Sequence, residues 1–382
     1  MHGIRSVVAI VATVIAAGLP DVAVGATASQ NWKWCEGGAA KGISPNLQIS
    51  GCTAVIQPPK EKPEILAAAR NYRGTAYAAK REYDRAIQDY DQALHLNPKL
   101  ASAYYNRGNA YNAKGGRDQA IADYTQAIRL DPKIAMAFHN RGVAYQTKGD
   151  IDHAIADYDA ALRLESKMAI AYYNRGNAYR VKGNNERALA DFDQAIALDP
   201  KIAAAYDDRG LIYRTRGNDD RAIADFDWAI GLNSDDVDAH NNRGLTFLHK
   251  GDYTRAIIDF DEVVRLEPTN ASAWDRRCWV HSLAGQLQQA LTDCGESLRL
   301  RPGSVPTLDS RGFTFLKLGQ FDAAIADYDA ALKLDPKFAT SLYGRGLAKQ
   351  KKGDSVGGPA DIAAAKSIKA DIAEEFARHG IK

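Results

Sequence analysis

The stretch ASAYYNRGNAYNAKGGRDQAIADYTQAIRLDPKI, residues 101–134, decides the fold, because the chain repeats its phrasing almost to the end. The glycine of Asn106-Arg107-Gly108 recurs at 74, 108, 142, 176, 210, 244, 312 and 346, a 34-residue period whose one missing beat is Cys278. The preceding arginine never skips: Arg73, Arg107, Arg141, Arg175, Arg209, Arg243, Arg277, Arg311 and Arg345. A fixed period of that length specifies a solenoid of stacked units rather than a domain with a single core.

Numbering each unit so that this glycine falls at position 8, unit two places Tyr104 at 4, Tyr111 at 11, Gly115 at 15, Ala120 at 20, Tyr124 at 24, Ala127 at 27 and Pro132 at 32. Positions 4, 8 and 11 make one helical face and 20, 24 and 27 another, so each unit reads as two amphipathic helices. Glycine at 15 suits the end of the first helix. Asp150, Asn184, Asn218 or Asp252 then suits the start of the second. The pairs Asp131-Pro132, Asp199-Pro200 and Asp335-Pro336 stop the second helix. Glycine at 8 and alanine at 20 let the two backbones approach, leaving room for the rings at 11 and 24.

This pattern resembles the tetratricopeptide repeat (TPR) family over about four fifths of the chain. The resemblance implies an all-α fold, a right-handed superhelical α-solenoid of helix-turn-helix units, here nine of them over residues 67–370. Ser166 and Ser234 depart from the family's terminal proline, unit seven carries Cys278, His281, Cys294 and Ser297 at core positions, and Gly357-Gly358-Pro359 puts the start of the last unit's second helix in question. Residues 29–66 form a lead-in with Cys35 and Cys52, and residues 371–382 a C-terminal capping helix. Such ends shield apolar surfaces that have no further neighbour.

Aspartate holds position 23 in all nine units, from Asp89 to Asp361, at the edge of the seam that the arginine at 7 also borders. The two read as a repeated structural ion pair rather than as an arginine ladder for an anion. At 100 degrees per residue, position 6 falls opposite the packing side. In the TPR family this face lines the concave surface, and asparagines there typically bond the backbone of an extended peptide. The resemblance therefore implies a ligand-binding ladder of Asn106, Asn140, Asn174, Asp208 and Asn242, supplemented by Tyr105, His139, Tyr173, Asn109 and Asn177. Further along, Leu245, Leu248, Trp279, Leu283, Phe313 and Leu316 turn the same face apolar, which reads either as a partner site with Trp279 and Phe313 among its contacts or as a face covered by neighbouring helices. Positions 2 and 5 carry no Lys or Arg, which disfavours a clamp for a terminal carboxylate.

Four cysteines allow three full pairings. Positions 8 and 24 touch across one unit, so Cys278 with Cys294 is geometrically sensible and leaves Cys35 with Cys52. The competing reading takes Cys278, His281 and Cys294, with Asp293, as zinc ligands. No phosphate-binding loop, supported Ser/His/Asp arrangement or further metal motif occurs, so no enzyme activity, cofactor or metal is expected.

Charge and the amino terminus bound the partners and the compartment. Forty-nine basic against 47 acidic residues, interleaved, give no reason to expect nucleic acid. Arg5, the apolar run Val7–Leu19 and Ala26-Thr27-Ala28 read as a signal peptide within residues 1–28. No later segment resembles a membrane span. The sequence thus predicts a periplasmic or secreted, non-catalytic scaffold that binds a protein or peptide. The alternative is a scaffold associated with polysaccharide, since aromatic and amide side chains on a groove also suit sugars.

Overall fold

The structure, a computed structural model, describes residues 30–38, 41–57 and 61–381. The expected signal segment lies outside the described residues. Among the described residues every element is a helix. The lead-in contributes α1 (Gln30–Gly37) and α2 (Pro45–Ile56), and helix pairs follow: α3 (Pro63–Ala79) and α4 (Tyr83–Leu96), α5 (Ala101–Ala113) and α6 (Arg117–Leu130), α7 (Ala135–Thr147) and α8 (Ile151–Leu164), α9 (Ala169–Val181) and α10 (Asn185–Leu198). The pattern continues through α11 (Ala203–Thr215) and α12 (Asp219–Leu232), α13 (Val237–His249) and α14 (Tyr253–Leu266), α15 (Ala271–Leu283) and α16 (Leu287–Leu300), α17 (Val305–Lys317) and α18 (Phe321–Leu334), α19 (Ala339–Lys351) and α20 (Gly357–Ile368), and ends with α21 (Ile372–Arg378). The chain is an all-α solenoid of tandem helical hairpins. It divides into two compact bodies between Ala205 and Tyr206.

The local reasons for the hairpins recur in each unit. Gly115 ends α5 with φ +83°, a left-handed conformation that side chains resist. Unit one has Arg81 at the same place, with φ +62°. The second helices begin on polar caps: Asp150 accepts from the His153 N–H, Asn184 from Arg187, Asn218 from Arg221 and Asp252 from Arg255. The last hairpin also forms, because Asp354 Oδ1 accepts the N–H groups of Val356 and Gly357 and so organises the glycine-rich start of α20.

Inside each hairpin the close approach is real. A Cβ on Gly108 would lie 2.8 Å from the Tyr124 ring, and Tyr124 is fully buried against Ala120 and Tyr105. In unit seven Cys278 and Cys294 take these two places and are joined by a disulfide, so the zinc reading of this cluster is corrected: the sulfurs are bonded to each other. His281 Nδ1 instead pairs with Asp293 Oδ2 at 2.9 Å.

In the amino-terminal body a second disulfide joins Cys35 to Cys52 and so staples α1 to α2. Trp32 meets Tyr72 edge-on at 6.3 Å, which seats this hairpin on α3. In the carboxy-terminal body α21 does more than cover the last hairpin. It turns back over the first helices of units seven, eight and nine, where Ile372 and Phe376 are buried.

Candidate functional site

The arginine at position 7 belongs to the architecture. In every unit its Nε and Nη2 donate to both oxygens of the aspartate at 23, at 2.6–3.2 Å. The remaining Nη1 reaches the preceding unit: Arg107 to Asp91, Arg175 to Asp159, Arg243 to Asp227, Arg277 to Asp261 and Arg345 to Asp329. One guanidinium therefore ties two helices of its own unit to the unit before it. Removing it would leave a buried carboxylate uncompensated.

The first-helix face of the amino-terminal body is a polar net. Asn106 donates to Asn71 Oδ1 at 3.0 Å, and Asn140 donates to Asn109 Oδ1 at 2.9 Å and to the Tyr105 hydroxyl at 3.2 Å. His139 bridges Asn140 Oδ1 at 3.0 Å and the Asn174 amide at 2.9 Å. Burial holds its pKa below the usual histidine value, as suits a neutral ring that donates to one amide and accepts from the other. Gln146 donates to Asn177 Oδ1 at 2.9 Å, and Tyr124 to Asn109 Oδ1 at 2.8 Å.

These bonds correct the expected geometry of position 6. Asn106 and Asn140 are buried, and their amides face the preceding unit rather than open solvent. A wheel drawn for one helix shows the face away from its own partner helix, but it omits the neighbouring unit that leans on that face. Tyr105 and Tyr173 are buried as well, while Asn109, Asn174, Asn177, Asp208 and Asn242 are half-buried.

In the carboxy-terminal body the same face becomes acidic and apolar. Asn242 donates to Asp207 Oδ1 at 3.1 Å, and Arg276 to Asn241 Oδ1 at 2.8 Å, so the link from position 6 to the preceding position 5 continues. Burial pushes the Asp207 carboxyl up to about 7, against the hydrogen bond from Asn242. Asp309 is pushed up to about 7 by burial, with Asp275 and Glu375 adding to the rise, while Ser341 donates to it at 2.6 Å. Asp275 is raised for the same first reason. These position-5 carboxylates escaped the sequence reading. Their signal was an acid recurring at 207, 275 and 309, in phase with Tyr105 and Tyr173, which are buried.

The apolar patch exists, but it is covered. Phe313 is 2 % exposed, and its ring meets Phe376 at 5.7 Å and His379 at 6.2 Å. Half-buried Trp279 packs against Phe313 at 5.0 Å and His379 at 5.5 Å. Of the two readings of Trp279 and Phe313, the structure has the covered face, and the occupant is the chain's own last helix. Among the described residues no cluster of three or more His, Cys, Asp or Glu side chains could hold a metal, and no helix is long and apolar enough to cross a membrane.

The pattern described as TPR repeat matches residues 74–115, 108–149, 147–180 and 312–353, and patterns described as tetratricopeptide repeat match 169–202 and 208–271. The chain belongs to the tetratricopeptide repeat family, whose units serve as protein-interaction scaffolds. Among solved structures it is similar to the C-terminal part of a TPR repeat-containing protein from Cytophaga hutchinsonii, at 16% identity and TM-score 0.53, over 63% of this chain and 98% of that one. That likeness is one of fold. MamA aligns at 28% identity and TM-score 0.40, over 43% of this chain and 96% of that one. YrrB, described as a TPR protein with an unusual peptide-binding site, aligns at 24% identity and TM-score 0.42, over 52% of this chain and 96% of that one. No curated protein matches the chain.

Proposed function

We propose that this protein is a non-catalytic scaffold of the cell envelope that binds a segment of a partner protein on its first-helix face. The observation that carries the reading is α21, because a short peptide-like helix already lies on that face in the carboxy-terminal body, held by Ile372 and Phe376. A surface that buries one helical segment offers the apolar anchor points that helix-in-groove recognition uses. In the amino-terminal body half-buried Asn109, Asn174 and Asn177 line the same face as part of its polar net. Two disulfides support a location outside the cytoplasm, where thiols are not kept reduced. The polysaccharide reading has less support, since the ring of Trp279 packs against Phe313 and His379 rather than lying open to a sugar.

A photo-crosslinking residue at Asn112, on a first helix, is the direct test, with Gln126 on the second helix as control. One envelope protein should be captured from Asn112 and not from Gln126. Capture from Gln126 alone would reject the first-helix face as the site.

A further inference from the structure

We propose that the first-helix face of units seven to nine is a seat for an exchangeable amphipathic helix, held in cis by α21 and open to a partner helix that carries an aliphatic and an aromatic residue one turn apart. The proposal rests on the reading that first-helix faces bind protein segments, and it names the ligand chemistry and the gate of one such face.

The seated segment is the template for what fits. Ile372 and Phe376 stand four residues apart on α21 and are 0% and 4% exposed. Phe376 lies 4.8 Å from the Tyr343 ring and edge-on to Phe313. Glu374, Ala377 and Arg378 face solvent. A helix of seven residues has too little length to hold itself in water. Its helicity therefore depends on the seat, and only the short link after Ile368 joins it to α20.

The cis helix also carries a flaw. Glu375 adds its negative charge near half-buried Asp309 of α17, which already feels Asp275 of α15 and lies near the buried Tyr328 of α18. From α19 the Asp309 carboxylate receives the hydroxyl of Ser341 at 2.6 Å. The cations nearby are committed elsewhere: Lys369 pairs with Glu375 at 2.5 Å, Arg276 reaches Asn241, and Lys317 donates to the Ser282 carbonyl at 2.8 Å. No cation is recorded against Asp309 itself among the described residues. Like charges around one dry carboxyl disfavour its ionised form. A partner helix that keeps the two anchors but has a neutral residue at the place of Glu375 meets the same pocket with one carboxylate fewer near Asp309.

A fluorescent peptide with the sequence of residues 369–382 probes the seat on the full chain. Phe376→Ala should bind it about tenfold more tightly than the unaltered protein, because the competent fraction rises when the cis helix lets go. A peptide with Gln for Glu375 should bind more tightly than the parent, and the advantage should shrink as pH falls from about 8 to about 6 and Asp309 takes up its proton. No peptide binding by Phe376→Ala, with α17 and α18 still protected from hydrogen exchange, would overturn the proposal, as would equal affinity of the two peptides at every pH. If Phe376→Ala does not fold, hydrogen exchange on the unaltered chain decides. Amides of α21 exchanging at least about tenfold faster than those of α17 support an exchangeable helix, and equal protection overturns it. Loss of peptide binding while the partner captured from Asn112 still binds would reject the exchangeable helix alone. Loss of both would reject the scaffold reading too.

Discussion

Units two and seven make the same contact by different means. In unit two, the missing side chain of Gly108 leaves the space that the Tyr124 ring fills. In unit seven, Cys278 and Cys294 occupy those places and close the gap with a covalent bond, both fully buried. Around them the arginine fork is unchanged, Arg107 on Asp123 and Arg277 on Asp293, although His281 adds a second donor to Asp293. The comparison teaches that the hairpin demands a filled contact between positions 8 and 24 and an ion pair beside it. It does not demand any one residue pair at the contact.

The largest break in that comparison is Tyr124→Ala. Removing a buried ring should cost about 3–5 kcal/mol, and hydrogen exchange should localise the loss to α5 and α6. Protection of those helices at the parent level would show that the ring is dispensable. Next, Cys278→Ala with Cys294→Ala should lower stability by about 3 kcal/mol, the order expected for a loop of this length, as read from the urea midpoint of the carboxy-terminal body. A Cys278→Gly, Cys294→Tyr double variant should recover most of it, because it installs the unit-two solution. A variant no more stable than the double alanine would mean that the two contacts are not interchangeable.

A third difference is electrostatic, since position 5 is Tyr105 in unit two but Asp275 and Asp309 in units seven and eight. Burial pushes the Asp207 and Asp309 carboxyls up to about 7, above the ordinary carboxylate value. The folded state therefore holds protons that the unfolded state releases. Stability from these groups is greatest below the ordinary carboxylate pKa and is lost as pH rises through about 7. The carboxy-terminal body should therefore lose stability across that window, seen as a falling urea midpoint. Asp309→Asn should flatten the profile, and an unchanged slope would reject the assignment. The smallest effect lies in the turn, where Arg81 holds the left-handed place that Gly115 holds in unit two. Arg81→Gly should add about 1 kcal/mol, seen as a higher melting temperature.

Much of this was legible before any coordinates. The 34-residue period, the glycine and ring that meet inside a unit, and the arginine and aspartate that border the seam lie within one hairpin, where spacing fixes which side chains can touch. The candidate site was less legible. Position 6 looked open because its partner stands 35 residues away, as Asn106 to Asn71 and Asn140 to Tyr105. Whether Trp279 and Phe313 were open or covered stayed undecided in the sequence because the helix that covers them comes some hundred and some sixty residues later in the chain.

The sequence by itself determined the repeating hairpin and its internal seam, since these follow from local periodicity and residue size. Only the tertiary structure decided which faces stay available. A helix's own pattern says where it is apolar or polar, but the neighbour that buries Asn140, surrounds Asp309 or lays Phe376 on Phe313 is set by packing between units.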